Sequence, residues 1–267
     1  MDRAFGAHWR LFLAQARGQA QYRASFWFDV AASTAFGVLD LVAVVVVFGA
    51  TGSLAGFSRA EGLVIATLAG AGFAVADLVV GSVERIRTYV RTGLFDAVLL
   101  RPMGALGQLV AMDFAPRRAG RAVLCIALIP VTTAVAGVDW TPVRVLVAVL
   151  APICGAVLFG SIFVGAATVA FWWIDSGEFA NSFTYGGRDF TAYPMTIYGE
   201  VFRRVFAYGL GFAFVGYYPG LALLGRPDPL GGPPWLVWLA PVVAAGAAGL
   251  AGLVWRLGVR HYRSTGS

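Results

Sequence analysis

The chain contains no lysine; all 20 of its basic residues are arginine. A phosphate-binding loop of the form G-x-x-x-x-G-K-[ST] needs that lysine, so if ATP is used here another chain must hydrolyse it. Histidine is almost as scarce. His8 and His261 stand alone near opposite ends, which excludes a histidine cluster for zinc or haem. The two cysteines, Cys125 and Cys154, lie in separate apolar segments and read as small buried hydrophobes rather than a disulfide or metal site. No Ser/His/Asp arrangement is suggested, and Asp175, Glu178, Asp189 and Glu200 show no spacing typical of paired catalytic acids. Charge itself is sparse: 13% of the 267 residues, where a soluble domain has about a quarter.

Long apolar runs take up the space that charge leaves. The chain is 59% hydrophobic with a mean hydropathy of +0.75. Several runs approach or exceed the ~20 residues that cross a bilayer. The expected class is an all-α polytopic membrane protein with six transmembrane helices. An N-terminal interfacial amphipathic helix precedes them, because Phe5, Trp9, Phe12, Leu13, Ala16 and Ala20 share one helical face while Arg3, Arg10 and Arg17 share another. Those arginines also interrupt the apolar residues a secretory signal would need.

The spans are expected near 26–50, 62–83, 121–138, 143–173, 205–224 and 235–255. Pro130 and Pro152 fall inside the third and fourth. The fifth is interrupted at its far end by Gly216 and Pro219. It reads as one span, or as a shorter span followed by a re-entrant piece around 217–225 covered by protein. The polar stretch 175–204 reads as a connection. The chain thus divides into an interfacial helix (1–25), a six-span domain with a loop at 84–118 (26–258) and a short basic tail (259–267). Small residues line two spans, Ala66, Gly70 and Ala74 on the second and Gly246, Gly249 and Gly252 on the last, and suggest packing within the chain. Phe171, Trp172, Trp173, Trp235, Trp238 and Trp255 read as an interfacial belt.

Arginine sets the orientation. The N-terminal segment, the second-to-third connection (Arg85 to Arg121), the fourth-to-fifth connection (Arg188, Arg203, Arg204) and the tail fall on one side. Only Arg59, Arg144 and Arg226 fall on the other. The basic side is expected to be cytoplasmic, with both termini there. Arginine without lysine also fits a GC-rich bacterial genome, and so a bacterial inner membrane.

The organising stretch is Glu84–Pro102. Its arginines resist burial in lipid, yet Leu94, Phe95, Val98, Leu99 and Leu100 are too apolar for a plain loop. Gly93 can close one helical turn, and Pro102 prevents the next from passing Arg101. A short amphipathic helix, Leu94–Leu100, is therefore presented on the basic side. It either docks on a separate soluble engine or lies on the headgroups.

Three acids fall within spans: Asp29, Asp40 and Asp77. An aspartate near a helix centre costs about 2.5–3.5 kcal/mol, so it should face a cavity or a partner. Asp40 lies about 15 Å and Asp77 about 9 Å from the nearer end of its span, which argues against one shared site. Each either attracts a cationic substrate or hydrogen-bonds to Ser33, Thr34, Thr67 or a backbone carbonyl. With Phe36, Phe73 and Phe212 they would line a path poor in positive charge, which favours a cation.

The run Arg91–Pro102, RTGLFDAVLLRP, resembles the first cytoplasmic loop of type-2 ABC exporter permeases. The segment Gly186-Gly187-Arg188 with Tyr193-Pro194, and the tail from His261, resemble a bacterial subgroup that includes exporters of cationic compounds. The resemblance implies a permease subunit, not an enzyme. It would move an amphipathic, drug-like or lipid-like molecule, with a cation favoured, out of the cell. It further implies two ABC ATPase subunits that hold ATP and Mg, with no cofactor or metal in this chain, and a second permease, identical or related. The ATPase-coupling residues carried over are Gly93, Leu94, Phe95, Asp96, Val98, Leu99, Leu100, Arg101 and Pro102. The resemblance also leads one to look for a re-entrant pair after the fifth span, which the sequence does not clearly offer. The competing reading is a polytopic membrane enzyme acting on lipid intermediates.

Overall fold

A computed structural model describes Gly18 and residues 23–263. The interfacial helix expected at 1–25 and the last residues of the tail lie outside the described residues, apart from the first turn of α1. The described chain is helical throughout, apart from one isolated bridge between Leu54 and Phe57 in a loop.

α1 (Arg23–Thr51) and α2 (Arg59–Val80) are the first two crossings. Ser58 caps α2: its hydroxyl accepts from the Glu61 amide and the Glu61 carboxylate accepts from the Ser58 amide at 2.7 Å. α2 continues through a 3₁₀ turn, Gly81–Arg85, into α3 (Ile86–Arg91). Two short helices follow, α4 (Leu94–Leu99) and α5 (Ala105–Met112). α6 (Ala119–Val135) and α7 (Pro142–Thr168) run through Pro130 and Pro152 as the third and fourth crossings. α2 and α7 cross with almost no space between them. A Cβ on Gly72 would stand 2.9 Å from the Gly155 Cα, so the two glycines let the backbones touch.

The expected fifth span is corrected. The polar stretch contains α8 (Gly177–Thr191), and α8 crosses the bundle. At its start Asp175 pairs with Arg91, and Gly177 lies against the Arg87 guanidinium, at the basic end. Past its end, Ala192, Tyr193, Met195 and Tyr198 pack with Phe57, Tyr217, Leu236 and Ala240, at the far end. Its 15 residues rise about 22 Å, and the segment after it supplies the rest. The apolar run that hydropathy selects does not cross. α9 (Glu200–Phe202, continued as a π-helical stretch Arg203–Gly209) descends beside α8, with Phe202 on Phe190 at 4.7 Å and Phe206 on Phe183 at 6.4 Å. The chain reverses at Gly211, where φ is +79° and a Cβ would meet Leu158 and Val243 within 3 Å. It climbs back through the turn Phe212–Phe214 and α10 (Tyr217–Leu224). The pair is bent by 65°. Arg226 then bonds Glu61 at 2.8 Å, back at the far end. This is a re-entrant hairpin, broken at Gly211 rather than at Gly216.

The last crossing, α11 (Ala240–His261), starts five residues later than expected, because Pro233 and Pro234 hold residues 234–238 in a 3₁₀ turn. It also runs into the segment read as tail. Among the described residues six crossings result, though not the six that hydropathy selects. The Gly246, Gly249 and Gly252 stripe has nothing within 4 Å of where its side chains would begin, so it does not pack inside the chain. Ala66 and Ala74 are buried as expected, and Gly70 faces Cys125. Trp172, Trp173, Trp235 and Trp238 are about half exposed, but Phe171 and Trp255 are core residues. Both cysteines are free and buried.

Candidate functional site

Two regions carry the candidate functional residues. The first is the basic end. Gly93, at φ +71°, turns the chain out of α3 and into α4. Phe95 and Val98, three residues apart on α4, point inward. The Phe95 ring lies 5.1 Å from Phe171 and 4.9 Å from Tyr262, and is fully buried. Gln108 on α5 donates from Nε2 to the Val98 carbonyl (3.1 Å) and the Met103 carbonyl (2.9 Å), which fastens the loop beyond Pro102. Arg85 and the Tyr89 hydroxyl both bond Asp113, closing the loop onto the end of α2. Burial and the adjacent Asp96 carboxylate raise the pKa of the Tyr262 hydroxyl above its ordinary value. What faces out is Leu94, Leu99, Leu100 and Arg101, with Leu100 87% exposed. The expectation that Phe95 enters a partner's groove is therefore corrected. Phe95 anchors α4 from behind, and the leucines form the free face.

The second region lies mid-membrane. Asp40 on α1 has Oδ2 3.4 Å from Arg121 Nη2 on α6, and Oδ1 3.5 Å from Arg188 Nη2 on α8. Arg188 is also held by Asp189, through Nε at 3.0 Å and Nη2 at 2.8 Å. Both guanidinium groups lie over the Phe73 ring, at 5.9 and 5.6 Å from its centre. Asp77 bonds Arg118 Nη1 at 2.7 Å, and the Tyr185 hydroxyl donates to Glu84 at 3.4 Å. Asp29, nearer the basic end, faces Arg117 at 3.5 Å. A cavity of about 250 Å³ opens beside Asp40, between α1, α2, α6 and α8.

This overturns one premise. The membrane interior is not poor in positive charge, because Arg118, Arg121 and Arg188 all reach the intramembrane acids. Ser33, Thr34 and Thr67 do not serve those acids: Thr34 and Thr67 donate to carbonyls in their own helices, and Ser33 donates to the Val30 and Arg117 carbonyls. Asp189 does not lie on the basic side and Glu200 is at the far end. Arg203 and Arg204 leave the basic side with it.

One comparison with known proteins decides the family. The family model described as ABC-2 family transporter protein matches residues 35–266. The chain belongs to the ABC-2 transporter family. No curated protein and no solved structure matched it. The ABC-2 chain is thus an integral membrane subunit of an ABC transporter, and its match covers every crossing from the middle of α1 onward.

Within this ABC-2 chain the five residues expected to line a path are not one constellation. Asp40 and Phe73 share the cavity. Asp77 lies on the same helix as Phe73, one turn nearer the basic end, occupied by Arg118. Phe36 is 60% exposed on the outside of α1, and Phe212 is buried at the hairpin tip, 5.7 Å from Phe159. Sequence reasoning missed Arg121, Arg188, Asp189 and Tyr193 as cavity residues. The signal was present: Glu178, Ser182, Tyr185 and Asp189 recur at helical spacing along α8.

Proposed function

We propose that the chain is the permease subunit of a bacterial exporter in the cytoplasmic membrane, moving an amphipathic, drug-like or lipid-like molecule with ATP hydrolysed elsewhere. One observation carries this reading. In a chain of the ABC-2 family, α4 is clamped from behind by Phe171 and Tyr262 while Leu94, Leu99 and Leu100 stay exposed. A rigid helix with a free apolar face suits a groove on a soluble partner. The loop 84–118 is then the coupling loop, and two ATPase subunits carry ATP and Mg. Arg85, Arg87, Arg91, Arg101, Arg117 and the arginines of the last helix keep the basic end cytoplasmic under the positive-inside rule, even with Arg203 and Arg204 opposite.

α8 supports a second permease. Ser182 and Asp189 are exposed along a crossing helix beyond Glu178 at its basic end, and a lipid-facing carboxylate at the depth of Asp189 costs several kcal/mol. The stripe suits a polar path shared with a second, identical or related subunit. The preference for a cation loses its support, since Asp40 and Asp77 already have guanidinium counter-ions. The test is co-expression with neighbouring gene products, an ABC ATPase among them being expected, followed by purification in detergent. A stable complex that hydrolyses ATP only when the ATPase is present is expected. A chain that purifies alone, with no ATPase partner, and turns over a lipid intermediate would replace this reading with that of an enzyme.

A further inference from the structure

Arg121 is an incompletely satisfied charged group inside the bundle. Its side chain is 15% exposed, so it is well inside the bundle. Its Nε is buried with no hydrogen-bond partner among the described residues. Its contact with Asp40, at 3.4 Å, is longer than the 2.7–2.9 Å of a charge-assisted hydrogen bond. A guanidinium has five donors in a planar fork, and away from water each unmet donor is costly. Asp40 has the complementary deficit. Both of its contacts are long, and its side chain is 41% exposed toward the cavity. Arg188 has no such deficit, because Asp189 takes its Nε and Nη2. The cavity therefore presents one underused anion-binding fork and one underused carboxylate a few ångströms apart, with Tyr193 as an aromatic wall.

A ligand with a single charge would satisfy one of the two groups and compete with their mutual attraction for the other. A head carrying both signs satisfies both at once: its anionic oxygens accept from Arg121, and its cationic end lies against Asp40 and the Tyr193 ring. About 250 Å³ accommodates such a head, though not the tail attached to it. Val44, Ala43 and Leu41 on α1 line the same cavity and give a tail an apolar way out toward the lipid. We infer that this cavity is a binding site for the zwitterionic head of an amphiphile. The inference deepens the permease reading and rests on it.

The test uses the full chain in lipid nanodiscs and three probes with one acyl chain: palmitoylcarnitine (zwitterionic), palmitoylcholine (cationic) and palmitate (anionic). Binding is read by isothermal titration calorimetry, with nanodiscs lacking the chain as the blank. The zwitterion is expected to bind at least about tenfold tighter than either of the others, since it adds one further charge-assisted contact. Arg121→Gln should bring palmitoylcarnitine down to the level of palmitoylcholine, and Asp40→Asn should bring it down to that of palmitate. Palmitoylcholine binding as tightly as palmitoylcarnitine, or all three binding alike, overturns the inference. That order is measured on the unaltered chain, so it decides even if a variant fails to fold. Failure of the permease reading would show separately, as the absence of an ATPase complex.

Discussion

Phe95 and Leu100 lie five residues apart on one short segment, and the structure gives them opposite jobs that a pair of variants can separate. Phe95 is fully buried between two aromatic rings. Removing a buried phenylalanine side chain costs about 3–5 kcal/mol, here concentrated on a loop held otherwise by Gln108 and the Asp113 contacts. Phe95→Ala should therefore loosen α4 and the C-terminal end of α11 together. Hydrogen exchange at residues 94–99 and 258–262 should accelerate, and the purified chain should lose thermal stability. Leu94 and Leu100 are 55% and 87% exposed, so replacing them should change the stability of the chain alone by less than about 0.5 kcal/mol. If they fill a groove on the ATPase, each contributes about 1.5–3 kcal/mol of burial there. The double change to serine should then weaken the complex by about two orders of magnitude or more, seen as loss of co-purified ATPase at normal permease yield. The reasoning is refuted if Phe95→Ala leaves exchange and melting unchanged, or if the double serine variant keeps its full complement of ATPase.

Other outcomes follow from single contacts. Gly211→Ala forces a side chain into a left-handed turn and against Leu158 and Val243, so melting should drop by the equivalent of about 1–2 kcal/mol or more. Gly249→Ala, on α11 with nothing within 4 Å of where its side chain would begin, is the control. Arg118→Gln leaves the carboxylate of Asp77, which is 12% exposed, without its partner and should destabilise by about 3–5 kcal/mol. Adding Asp77→Asn should recover much of that loss, and a double variant no more stable than Arg118→Gln would contradict the pairing. The chain purified alone should show no ATP hydrolysis above background, because it has no lysine for a phosphate loop.

The parts of the fold governed by hydropathy and by Gly and Pro were legible from residues alone. α1, α2, α6 and α7 lie within a few residues of the expected spans, and Gly93 and Pro102 bound α4 as their backbone preferences require. α8 and the hairpin were not legible, for one shared physical reason. Hydropathy measures the wish to leave water, not the partner that is found. Residues 205–224 are apolar because neighbouring helices cover them: Tyr217, Tyr218 and Leu221 are fully buried. α8 is polar because Arg188 and the Tyr185 hydroxyl meet Asp40 and Glu84 from other helices. A rule that scores each segment in isolation selects the covered hairpin and rejects the true crossing. The same holds for Phe95, since spacing shows that α4 has an apolar face but not which way that face turns.

That polarity of α8 bears on how the chain is made. Arg188 and Asp189 would each cost about 2.5–3.5 kcal/mol near the centre of an isolated inserting helix. Alone, α8 would not enter the bilayer. The partners of its polar side chains, Asp40, Phe73, Glu84 and Phe163, precede it in the chain, although Phe202 and Phe206 pack on it later. By the time α8 leaves the ribosome, the first four helices already offer a charged and aromatic slot. Insertion of the fifth is thus templated by the nascent bundle, and faults in that slot would surface as topology errors during synthesis rather than as a lower melting temperature.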